Sequence, residues 1–116
     1  MSTIKTQGLL TGEFLLSEGE GRISREQIVV AAGDALPAGQ LLGTLNATGK
    51  YVPYDNAANT GAQIASAVLY AALPAATDDR HGVAIVRLAE VAEALITGLD
   101  TDARTDLASK FVIVRQ

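Results

Sequence analysis

The sequence predicts a mainly β fold with minor α content, an α+β domain of a single unit. Three observations carry this. Short aliphatic and β-branched runs recur along the chain, separated by clusters of Gly, Pro, Asn and Asp. Only one segment, close to the C-terminus, joins a helix cap to helical spacing. The length, 116 residues, suits one domain, and 48% hydrophobic residues with a mean hydropathy of +0.23 argue against disorder.

The elements follow in order. Residues 1–13 read as an N-terminal arm and 14–116 as the domain. In the arm, polar and small residues surround Ile4, Leu9 and Leu10 with no clear period and no cap signal. Such a segment is expected to be flexible in the free protein. Phe14-Leu15-Leu16 is a short strand candidate, and Ser17 to Arg22 is a loop marked by Gly19 and Gly21. Gln27 to Ala32 is a β-branched strand ending at Gly33-Asp34. Leu36-Pro37-Ala38-Gly39 fits a type I turn, with Pro second and Gly fourth. Gln40 to Asn46 is the next strand, Thr48-Gly49 turns the chain, and Lys50 to Tyr54 returns as its hairpin partner. Pro53 donates no ladder bond, so that strand should lie at an edge or carry a bulge.

Asp55 to Gly61 is a loop of turn formers. Ile64 to Leu73 is apolar on both alternating faces, so its period does not separate strand from helix. Pro74 to Gly82 reads as a polar loop. Val83 to Leu88 is a strand, with Val83, Ile85 and Arg87 facing one way and Ala84, Val86 and Leu88 the other. In Ala89 to Ile96, Leu88, Val91, Ala92 and Leu95 follow helical spacing. Asp100 or Thr101 can cap a helix running to Lys110. Leu99, Ala103, Leu107 and Phe111 would line its apolar face, and Asp106 would pair with Lys110 outside. Phe111 to Arg115 is a terminal strand.

Composition excludes several classes of function. With no cysteine there is no disulfide framework, thiolate metal site or thiol nucleophile. A net charge of −4 and a pI near 4.8 argue against nucleic acid as a partner, since the nine basic residues are scattered. The apolar part of the longest uncharged stretch, Ile64 to Leu73, is about half of what a membrane-spanning helix needs. No secretory signal is visible, so synthesis in the cytoplasm is the expectation. Aromatic residues are only 4% of the chain. A core of Ala, Val, Leu and Ile buries little area per side chain, a hint of oligomerisation.

Candidate chemistry is sparse. Asp78, Asp79 and His81, the single histidine, share a polar loop but match no ligand spacing, and a solvated loop is the simpler reading. The serines have no nucleophile-elbow context, and no phosphate-cradling glycine run is present. Lys50 sits by a hairpin tip, as the modified lysine does in lipoate and biotin carrier domains, but Gly49 and Tyr51 are not the neighbours those domains place around it.

Taken together, certain stretches resemble the lambda-type bacteriophage head decoration proteins, the capsid cement family. They are Phe14 to Glu18, Val29 to Gly33, Leu36 to Gly39 leading into Leu42-Gly43, Thr48 to Asp55, Val83 to Arg87 and Phe111 to Arg115. The order and spacing of the set carry the resemblance. It implies a small β-rich protein without catalytic site, cofactor or metal. It implies a homotrimer on the outer surface of the expanded phage head, at three-fold and quasi-three-fold sites, stabilising the shell against packaged DNA. The implied partners are the major capsid protein and other copies of the chain, with no nucleic acid and no membrane. It implies that the arm orders against the major capsid protein; the arm's own apolar residues, Ile4, Leu9, Leu10 and Phe14, are then the expected contacts, made by strand addition at a sheet edge. The resemblance also favours strand for Ala89 to Ile96. Competing readings are a β carrier or barrel-sandwich module using Lys50, a small hydrolase or metal enzyme using Asp78, Asp79 and His81, and another non-catalytic structural oligomer of the virion or elsewhere.

Overall fold

A computed structural model describes residues 11–19 and 23–116. In chain order its elements are β1 (Leu15–Glu18), β2 (Arg25–Val30), β3 (Leu41–Thr44), β4 (Tyr51–Pro53), β5 (Ala67–Leu69), β6 (Arg80–Ile85), β7 (Ala89–Ala92), a 3-10 turn (Glu93–Leu95), α1 (Thr101–Ala108) and β8 (Val112–Arg115). The mainly β fold with a helix near the C-terminus is therefore as the sequence predicts. Five strands close into a barrel in the order β2-β4-β3-β5-β6. The other three form a separate sheet, β1-β7-β8, with β7 central. Pairing is antiparallel except for β2 with β4 and β7 with β8.

Two apolar clusters explain why the barrel strands are apolar on both faces. Ile28, Val30, Leu42, Ala67, Leu69, Ala84 and Val86 pack together, with Leu36. The cross-strand partners Leu42 with Ala67 and Leu69 with Ala84 place this set on one face, the barrel interior. The residues between them, Leu41, Val68 and Ile85, turn outward and pack with Phe14, Val91, Val112, Ala103 and Leu107. The sheet and α1 thus cover one side of the barrel, and β3, β5 and β6 are buried on both faces. Interior space is short: a Cβ on Gly82 would lie 3.2 Å from Leu73 Cδ1.

The hairpin of β3 and β4 forms as its turn residues predict, with Leu42 opposite Pro53. Pro53 is tolerated because β4 meets β2 only at Val30 and Tyr51, so no ladder bond is asked of it on that side. Asp100 caps α1, its Oδ1 accepting from Ala103 N at 2.7 Å.

Several sequence expectations need correction. The turn at Pro37 is displaced by one residue: Gln40 N donates to Pro37 O, and Gly39 has φ +88°, the third-position conformation of a type II turn. Of Ile64 to Leu73 only Ala67–Leu69 is strand. Arg80, His81 and Gly82 belong to β6, because β2 continues the ladder past Val83 to pair Val30 with Arg80. That strand ends at Ile85, before Val86 to Leu88. Ala84 and Val86 share the inner cluster and Ile85 the outer one, as alternation predicts.

Ala89 to Ile96 is neither wholly helix nor wholly strand. Pairing on both sides makes Ala89–Ala92 a central strand, and the 3-10 turn follows. Asp106 does not meet Lys110 in an ion pair; its Oδ2 accepts from Ala65 N at 3.0 Å. The helix ends at Ala108, so Phe111 leaves its apolar face and is 67% exposed.

Candidate interaction surface

The arm side chains Ile4, Leu9 and Leu10 lie outside the described residues. Phe14 is fully buried within its own chain, in the cluster that joins barrel and sheet. Immediately before it the backbone is pinned. Gly12 N donates to Tyr70 O at 2.9 Å, and Leu15 N donates to Gly12 O at 3.0 Å. Gly12 has φ +69°, and a Cβ there would lie 2.9 Å from Tyr70 Cε1, so glycine is required for the close approach. The Tyr70 ring is covered in turn by the Arg25 guanidinium, 4.2 Å from its centroid. Glu18 of β1 fixes that guanidinium with two hydrogen bonds, of 2.7 and 3.0 Å. Residues 12–18 therefore form a rigid root for whatever precedes them.

Two of the polar candidates meet in an ion pair. Lys50 pairs with Asp79 at 2.7 Å, bridging the β3–β4 connection and the segment before β6. The Lys50 hydrogen bond holds the Asp79 carboxyl below the usual carboxylate range. His81 sits in β6 opposite Val29. Among the described residues no group of three or more His, Asp or Glu is placed to hold a metal ion, and no helix is long and apolar enough to cross a membrane.

A different surface stands out. Leu88, Phe111 and Ile113 line one shallow groove of about 260 Å³ at the end of the β1-β7-β8 sheet. Ile23 borders it: a Cβ on Gly19 would meet Ile23 Cγ2 at 2.3 Å and Leu88 Cβ at 3.7 Å. All four side chains are exposed, Phe111 most of all. On its other side Phe111 borders a second hollow, of about 440 Å³, with Val86, Tyr51 and Lys110.

Leu88 and Phe111 are also, among the described residues, the two non-glycine positions with positive φ, +53° and +61°. A left-handed residue with a bulky side chain costs ~1–2 kcal/mol. Main-chain bonds hold both in place. Leu88 O accepts from Gly19 N at 2.9 Å and from the buried Ser24 Oγ at 2.8 Å. Phe111 N donates to Ala108 O, and Phe111 O accepts from Ala89 N. Glycine or asparagine would relieve both sites, yet each carries a large apolar side chain turned to solvent. Sequence reasoning missed this groove, because it assigned Leu88 and Phe111 to the buried faces of a strand and a helix. No local signal marked them: Leu88 lies between Arg87 and Ala89, and Phe111 opens the run Phe111 to Val114.

A small β body with a pinned N-terminal root presents an exposed apolar groove, and its Lys50 is engaged in an ion pair with Asp79. The family model for the bacteriophage lambda head decoration protein D matches residues 4–111, and the chain belongs to that family. Membership makes it a structural protein of the phage head and supports a capsid decoration role. No curated protein shows a significant match to the chain.

Proposed function

We propose that this chain is a capsid cement protein that binds the outside of the expanded head as a trimer at three-fold and quasi-three-fold sites. It stabilises the shell against the pressure of packaged DNA without catalysis or cofactor. The observation that carries this reading is the family match across residues 4–111.

The mechanism rests on the arm. Residues 1–11 anchor to the major capsid protein by strand addition, gaining backbone hydrogen bonds at a sheet edge and burying Ile4, Leu9 and Leu10. Phe14 acts at the root, where its burial ties the arm to the body. Ordering an arm costs ~1–2 kcal/mol per residue in backbone entropy, so one arm binds weakly. Three arms on one trimer raise the effective concentration and turn weak contacts into firm attachment. The root supports this reading, because tension on the arm passes into β1, Phe14 and the Tyr70–Arg25–Glu18 stack, and not into a loose loop.

The test is removal of residues 1–10, which leaves Gly12 and the root intact. The shortened chain is expected to fold and melt like the full chain but to leave undecorated expanded heads bare, read by electron microscopy at the three-fold sites. Full occupancy by the shortened chain would refute the arm as anchor.

A further inference from the structure

We infer that the open edge of β2, together with the hollow beside Lys110, is a docking site for an extended protein segment that carries a carboxylate. The site is separate from the arm, and the inference depends neither on the trimer nor on the capsid reading.

The edge comes first. β2 pairs with β6 along all of its length, but with β4 only through Val30 and Tyr51. Main-chain groups of successive residues point to opposite sides of a strand. Val86 N donates to Ser24 O, which assigns Glu26 and Ile28 to the β6 ladder. Tyr70 N takes Val83 O, so Val83, opposite Gln27, faces away from β2. Ala31 N donates to Tyr51 O, so the odd residues Arg25, Gln27 and Val29 face the β4 side. There Arg25 and Gln27 each keep an amide and a carbonyl, and Val29 an amide, with no ladder partner among the described residues. Such a row is a template for strand addition by another polypeptide. From Arg25 to Val29 it runs ~16 Å, at ~3.3 Å per residue.

The hollow comes second. It lies where β2 and β4 part, with Glu26 on one side and Tyr51 on the other, and holds about 440 Å³. Val86 and the exposed Phe111 give it apolar wall, and Thr44 and Ser66 give it hydroxyls. A strand laid along the edge turns every second side chain to the face on which Glu26 borders this hollow.

Charge decides which side chain enters. Among the described residues, Arg25, Lys50, Arg87, Arg104 and Arg115 each pair with a carboxylate. Arg80 is held by main-chain carbonyls. Lys110 is the one described cation with neither kind of partner, and it lines the hollow. Glu26 is already taken by Arg87, so the hollow has a positive charge to spare on a chain of net charge −4. An entering carboxylate gains a charge-assisted hydrogen bond there. One spare cation is too little for a nucleic-acid backbone, which needs clustered Lys and Arg. The occupant is therefore a protein segment with Glu or Asp set between apolar neighbours.

The test follows the backbone amides of the isotopically labelled full chain by NMR. The probes are the capped pentapeptide Thr-Val-Glu-Val-Thr and its counterpart with lysine in place of glutamate. At millimolar glutamate peptide, the Gln27 and Val29 amides are expected to shift and to exchange hydrogen more slowly. The lysine peptide is expected to bind about tenfold more weakly, and Lys110→Gln, at an exposed position, to weaken the glutamate peptide about tenfold, the loss of one charge-assisted bond. Equal binding of the two peptides, or Gln27 and Val29 amides that do not respond, overturns the inference. Slow exchange of those two amides in the chain alone also overturns it, because the edge is then already covered by the chain's own arm or by a second copy. None of these outcomes bears on attachment of the arm to the head, which the shortened chain tests.

Discussion

Arg80 gives the sharpest test of how the barrel is held. It is buried in β6, 7% exposed, opposite Val30 on the barrel's inward face. Its guanidinium answers to main-chain carbonyls. Nη1 donates to Asp34 O at 2.7 Å and to Pro74 O at 2.9 Å, and Nη2 donates to Ala31 O at 2.7 Å. One side chain thus ties the segment after β2 to the segment before β6 across one end of the barrel. Arg80→Met keeps the apolar stem and removes all three donors. Asp34 and Pro74 are exposed, so water replaces their bonds cheaply, whereas Ala31 is partly buried. A carbonyl left dry costs ~1–3 kcal/mol. Hydrogen bonds to a charged donor are each worth ~1.5–3 kcal/mol, offset by the cost of burying the charge. The net expected loss is about 2–3 kcal/mol, and at ~4 °C per kcal/mol for a chain of this size the melting midpoint falls by roughly 10 °C. Urea unfolding followed by far-ultraviolet circular dichroism measures it, at one fixed protein concentration so that assembly does not shift the midpoint. Arg80→Lys should recover only part of the loss, since a point donor cannot span three carbonyls. An Arg80→Met chain within ~0.5 kcal/mol of the original, the range of an ordinary surface change, would refute the clamp.

Two further predictions concern the body. Phe14→Ala removes a fully buried ring from the cluster shared by barrel and sheet and is expected to cost ~3–5 kcal/mol; a denaturation midpoint close to that of the unaltered chain would show that Phe14 is not core. Burial, and then the hydroxyl's hydrogen bond to Asp100, push the Tyr54 phenol above its ordinary value. A group that holds its proton more tightly folded than unfolded gives stability that is complete below the unfolded value, about pH 10, and fades as pH rises beyond it. Melting between pH 8 and pH 11 should therefore show an alkaline decline that Tyr54→Phe makes shallower, with Tyr51, also raised by burial, accounting for part of what remains.

The parts of the fold that sequence reveals are those where one local rule acts alone. Gly49 and the apolar alternation around it announce the β3–β4 hairpin, and Asp100 announces the helix start, since both depend on neighbours in the chain. The apolar run at Ala67–Leu69 is harder. Its two faces are both buried, one inside the barrel and one under the sheet, so no period distinguishes strand from helix. Ala89–Ala92 is a strand because β1 and β8 flank it, and the β1 contact spans most of the chain. The groove is harder still. Leu88 is held left-handed by Gly19 and Ser24, more than sixty residues away, and its leucine side chain looks to any local rule like a core residue. The arm side chains were legible only as an aperiodic, polar-spaced segment, which marks them as uncommitted to the core and gives no partner by itself.

The β structure divides into a barrel and an open sheet. The barrel closes through one β2–β4 pair, Val30 with Tyr51, so the β4-facing edge of β2 before Val30 carries no ladder. The three-stranded sheet is open, and its outer strands are β1 and β8. The arm leads directly into β1, the groove lies on the same sheet, and the two left-handed residues sit at the entries to β7 and β8. The core of Phe14, Val91 and Val112 then couples that sheet to the barrel through Leu41, Val68 and Ile85. On the proposed attachment through the arm, load would be received by the short strands of the open sheet and carried by the barrel behind them. Side chains in the groove can therefore change without disturbing the barrel interior, whereas a change at Arg80 or Phe14 should loosen the body as a whole.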